Sequence, residues 1–127
     1  MRSTTVLSPA AECMLALIRR NNVGTSFVEI SAALASAGFD PNGAYGLPHP
    51  ADRNMVMWAG ASDLLIDALN ELLSAHLVHY KPTNPLVYLA DGGALNLPLV
   101  KHPPQGGYRD PHWLPMVINY GPAPGRA

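Results

Sequence analysis

Cysteine is nearly absent from this chain of 127 residues: Cys13 stands alone. A single thiol excludes an internal disulfide and a four-cysteine zinc site, and it suits a reducing compartment, so a cytoplasmic location is expected. Long apolar runs are missing too. Residues 13–18 are apolar but stop at Arg19 and Arg20, far short of the roughly 18 residues a membrane span needs. "MRSTTVLSPAAECMLALIRR" therefore reads as neither signal peptide nor anchor, and no membrane partner is expected. No internal repeat is visible, and the length suits one ordinary domain with appendages.

An excess of either charge is also lacking, since the formal net charge is -1. The distribution is uneven nonetheless. Residues 61–97 carry Lys81 alone against Asp63, Asp67, Glu71 and Asp91, whereas residues 98–127 carry Lys101, Arg109 and Arg126 against Asp110. Such asymmetry bears on partners more than the total does.

What is present begins with helix grammar. Ser8 before Pro9 is a good start, Glu12 near the third helical position adds a capping-box partner, and Cys13, Met14, Leu17 and Ile18 recur at helical spacing before "RRNNVG" ends the run. A first helix over about 9–21 is predicted. In "GTSFVEISAALASAGFD", Thr25 or Ser26 can cap a short alanine-rich helix that shows Phe27, Ile30 and Leu34 on one face and ends at Gly38. The segment "DPNGAYGLPHPAD", 40–52, is read as an inserted loop because of its prolines and glycines. Residues 54–58 are read as a short buried strand turning at Gly60, in preference to one long helix over 52–75. Ser62 with Asp63 then caps a third helix to about residue 75. Its broad apolar side is Leu65, Leu69 and Leu72 with Leu64, Ile66, Ala68 and Leu73, and its opposite side carries Asp63, Asp67, Asn70, Glu71 and Ser74.

"LVHYK" and "LVYLA", separated by residues 82–85, predict a β-hairpin ended by "ADGG". Beyond it the chain is rich in proline and glycine, yet "HWLPMVINY" is apolar and aromatic. An extended arm over 94–127 is expected to pack on this domain or on another chain, with residues 123–127 frayed.

Helix, short helix after "GTS", amphipathic helix, then hairpin resembles a winged helix-turn-helix domain over about residues 9–91, with "SDLLIDALNELLSAHLVHYKPTNPLVYLADGG" as third helix and wing of a bacterial or phage regulator. The resemblance implies an α+β, three-helix winged-helix-like domain over 1–93, with loop 39–53 inserted and a proline- and glycine-rich C-terminal arm. It also implies double-stranded DNA as a partner. Two features depart from the pattern: the connection over 39–61 is long, and the third helix is acidic where such domains face phosphates. Donors to nucleic acid are therefore sought at Arg53, Asn54, Ser62, Lys81, Lys101 and Arg109.

Chemistry-bearing motifs are few. His76 and His79 cross from helix to strand, and His49, His102 and His112 have no fixed convergence, so neither metal nor cofactor is predicted. "GASD" lacks the second glycine of a nucleophile elbow, and "NNVGTS" lacks the pattern of a phosphate loop. Cys13 reads as a small core residue and Asp91 as a turn residue. A non-enzymatic intracellular regulator that binds nucleic acid is the expectation. The alternative is a protein-interaction or phage-type modulator whose acidic helix meets a basic partner. Partner-binding candidates are Asp63, Asp67, Glu71, Tyr108, Trp113 and Tyr120, the last three on an arm that could also join two copies.

Overall fold

The computed structural model describes residues 6–21 and 23–124. They form a mixed α+β fold with four helices and two small sheets. Among the described residues no helix is long and apolar enough to cross a membrane.

The first helix, α1 (Pro9–Asn21), starts where its cap lies: the Ser8 hydroxyl accepts from Ala11 N–H at 3.2 Å. Glu12 falls one position too late to close the expected capping box and is exposed. Glu71 takes that place from across the fold, accepting from Ser8 N–H at 2.8 Å and from its hydroxyl at 2.6 Å. In α2 (Phe27–Ser36) the box is complete, with Ser26 as cap and Glu29 as its reciprocal partner.

The predicted loop over 40–52 is corrected by the structure. It forms strand β1 (Asn42–His49), which turns through Pro50 and Ala51 into β2 (Asp52–Ala61). Proline and glycine are tolerated here because β1 is an edge strand with an irregular register, where a missing N–H breaks no ladder and bulges absorb the glycines. Gly43 is required by close approach, since a Cβ there would lie 2.5 Å from the Ala61 carbonyl oxygen. Residues 54–58 are strand, and Gly60, at φ +75°, makes the turn toward α3 (Asp63–Ser74), capped by Ser62.

A second correction concerns the hairpin. "LVHYK" does form β3 (Val78–Pro82), but "LVYLA" lies in a fourth helix, α4 (Pro85–Asp91). Asn84 accepts from Leu86 N–H at 2.9 Å, Pro85 occupies the first turn, and Gly92 closes the end at φ +90°; the residues taken for a turn are a helix cap. The true partner of β3 comes from the expected arm. After β4 (His112–Trp113), which pairs in parallel with β2, strand β5 (Met116–Tyr120) runs antiparallel to β3. Thr25 bridges Ile118 on the far side of β5. The expected fraying of 123–127 lies partly outside the described residues, which end at 124.

One core joins these parts. Met14 and Ile18 of α1, Ile30 and Leu34 of α2, and Leu65, Leu69 and Leu72 of α3 are fully enclosed with Ile118. An aromatic column runs Phe27, Trp58, Tyr88, Trp113, with centroid separations of 5.9, 5.3 and 5.3 Å. Tyr88 fastens it: its hydroxyl donates to the Met116 carbonyl at 2.5 Å and accepts from Phe27 N–H at 3.2 Å. Burial pushes that phenol well above the ordinary tyrosine range. Trp113, expected as an anchor for a partner, is 3 % exposed and packs in this chain's own core.

Candidate functional site

The turn between β1 and β2 and the segment 100–112 meet in one lobe at the end of the three-stranded sheet. Asp52 organises it. Its carboxylate accepts from Asn54 N–H at 2.9 Å, a local turn closed two residues on, and from Tyr108 N–H at 2.9 Å. The Tyr108 bond and then the Asn54 bond hold this carboxyl below its ordinary range, with smaller electrostatic help from His112 and His49. Asn54 completes the clasp by donating through Nδ2 to the Tyr108 carbonyl at 2.7 Å. Gly107, at φ +92°, lets the chain pass close: a Cβ there would come 3.0 Å from Asp52 Oδ2.

On this frame Tyr108 stacks against His112, centroid to centroid 3.7 Å and 21° from parallel. Lys101 N–H donates to the Tyr108 hydroxyl at 3.3 Å, and His112 Nδ1 bonds the Asp110 carbonyl at 2.8 Å. Arg53, Lys101 and Arg109 are exposed, on chain segments that the backbone bonds of this lobe hold next to one another. A shallow cleft of about 330 Å³, lined by Leu47, Pro48, Arg53, Asn54 and Val56, opens beside it. Exposed cations in a lobe that also carries a half-buried aromatic stack can hold phosphates while offering a ring face to a base.

Arg53, Asn54, Lys101, Tyr108 and Arg109 are thus brought together from the nucleic-acid and partner candidates. Ser62 is elsewhere and already engaged, accepting from Leu65 N–H at 3.2 Å and donating to the Asp40 carbonyl at 2.7 Å. Lys81 belongs to β3 in the other sheet, and Tyr120 to β5, where Arg19 lies 5.5 Å over its ring. On α3, Asp63, Asp67, Asn70 and Ser74 are exposed, whereas Glu71 is tied to Ser8. Those hydrogen bonds, the hydroxyl first, hold the Glu71 carboxyl below its usual range.

Asp52 and His112 are the residues that sequence reasoning did not assign to this site. The signal for Asp52 was local, an aspartate two residues before Asn54 after "HPA", the usual form of a side-chain-closed turn. His112 had none, because its stacking partner is fixed by a loop. Among the described residues no group of three or more His, Cys, Asp or Glu is placed to hold a metal ion. No family model, curated protein or solved structure matches the chain.

Proposed function

We propose that the chain is a small, non-enzymatic regulator of winged-helix type that binds nucleic acid through the lobe of Arg53, Lys101 and Arg109, and not through its third helix. The observation that carries this is the Asp52–Asn54–Tyr108 clasp, which brings the segments bearing the exposed Arg53, Lys101 and Arg109 into one lobe, while α3 exposes Asp63 and Asp67. Two carboxylates on a helix laid against phosphates repel them; the lobe sets three cations against Asp110 and Asp52, and Asp52 turns both oxygens to backbone N–H groups.

Connectivity supports the winged-helix part. Thr25 follows α1, β3 follows α3, and β5 lies between them, the strand order of a winged helix with two insertions. The β1–β2 hairpin is inserted between the second and third helices, and residues 83–115 are inserted in the wing. The insertions meet where β4 joins β2, so the lobe is built from both.

A fluorescence anisotropy titration of labelled mixed-sequence DNA at low salt tests the reading. Replacing Arg53, Lys101 and Arg109 together by alanine is expected to weaken binding about a hundredfold or more, and Asp63→Asn with Asp67→Asn to leave it equal or stronger. The opposite ranking would move the interface to α3.

A second reading rests on the uncovered acidic side of α3, where Asp67, Asn70, Glu71 and Ser74 line an open hollow of about 510 Å³. Here α3 docks a basic protein segment. The same aspartate variants separate the readings, because they abolish this interaction and spare the other.

A further inference from the structure

The small sheet carries a second site, on the face turned away from the core. Pairing alternates along β3 and β5, so His79 beside Asn119 and Lys81 beside Val117 share one face, while Tyr80 beside Ile118 and Pro82 beside Met116 share the other. Val117 is 5 % exposed yet stands outside the main core cluster. Its cover is local. Gly24 lies so close that a Cβ there would sit 2.2 Å from a Val117 methyl.

These residues floor a groove made of two adjoining clefts, of about 480 and 180 Å³, that share Val23 and Asn119. Val23 and Gly24 border it on the β5 side, since Thr25 next to them bridges Ile118. Thr83 and Val87 border the β3 side as the chain enters α4. Val23 is 75 % exposed. On α4, Leu86 and Leu89 are exposed as well, three positions apart on a face other than that of Val87.

The polar groups give the groove a chemistry. Lys81 lines one cleft and Tyr120 the edge of the other, and among the described residues no carboxylate lines either. Among the described residues Asn119 Oδ1 is buried without a hydrogen-bond partner. His79 Nδ1 lies 2.8 Å from the Gly121 carbonyl, which can only accept; the neutral ring therefore keeps an unprotonated Nε2 as acceptor.

We propose that this groove docks an extended segment of a partner protein that alternates aliphatic and acidic side chains. Its aliphatic groups lie on Val23, Val87 and Val117, a carboxylate meets Lys81, and its backbone amides use Asn119, Thr83 and His79. Apolar walls with few hydrogen-bonding groups suit an extended peptide, and a cationic, acid-free lining selects its charge. The site is separate from the Arg53–Lys101–Arg109 lobe and does not rest on it.

The test is an amide-resolved NMR titration of the full chain with a blocked pentapeptide of alternating valine and glutamate, beside its valine–lysine counterpart and a short oligonucleotide. Expected are concerted shifts at Gly24, Lys81, Thr83, Val117 and Asn119, with the lysine peptide about tenfold weaker or worse. Val23→Glu and Lys81→Glu should each weaken the acidic peptide by about tenfold. If Val23→Glu disturbs the whole spectrum, Lys81→Glu, at an exposed position, decides. No shifts at millimolar peptide, shifts located elsewhere, an equal response to the lysine peptide, or a response of this face to the oligonucleotide alone would overturn the proposal.

Discussion

At Tyr88 one hydroxyl serves two segments, Phe27 and Met116, that lie 61 and 28 residues away in sequence. Tyr88→Phe keeps the ring in the aromatic column but leaves a buried N–H and a buried carbonyl unpaired, so a loss of about 1–3 kcal/mol is expected in urea unfolding. A change below a few tenths of a kcal/mol would mean that the hydroxyl does not fasten the column. Glu71 gives a pH-dependent counterpart. Its carboxyl is held below the ordinary value of 4.5 by Ser8, so its contribution is present above that pH and is lost as pH falls through the depressed value. Glu71→Gln is expected to flatten the acid limb of the stability curve and to leave the curve's shape near neutrality unchanged; an unaltered acid limb would contradict the clip. Neither contact was legible in the sequence. Tyr88 looked like one residue of a strand, and Glu71 like one of a row of solvated acids, because each role depends on a partner more than 25 residues distant.

Elements were legible where local signals agreed. The first three helices have caps, 3.6-residue periodicity and terminators that point the same way, and the Ser26–Glu29 box formed as its spacing suggests. Residues 86–90 did not declare themselves, because Leu, Val and Tyr serve a strand as well as a helix; Asn84 and Pro85 decided it as cap and first turn. The glycine-rich β1 hid for the opposite reason, since an edge strand tolerates residues that read as loop. Pairing of β3 with β5 joins residues from 34 (Pro82 and Met116) to 42 (Val78 and Tyr120) positions apart, and no local pattern encodes it. Truncation after Gly93 is the test at this scale. It deletes β4 and β5, removing Trp113, Met116 and Ile118 from the core and leaving β3 unpaired, so the shortened chain is expected to lose cooperative thermal unfolding. A stable truncated domain would show that residues 112–120 are an accessory to the fold.

For the molecule as a whole, charge separation is the feature on which the proposed function rests. The candidate site was half legible: Arg53, Asn54, Lys101 and Arg109 were identifiable one by one, but their meeting requires Asn54 to reach Tyr108 across 54 positions. If each cation of the lobe meets one phosphate, as proposed, three contacts fix how binding responds to salt. The logarithm of the association constant should fall with the logarithm of salt concentration at a slope of about -2.7 on duplex DNA, a loss of roughly 40-fold between 50 and 200 mM. The anisotropy titration repeated across that range is the most direct measurement. A slope near this value that flattens toward zero in the Arg53, Lys101 and Arg109 triple alanine variant is the predicted result; salt-independent binding, or an unchanged slope in the variant, would contradict it.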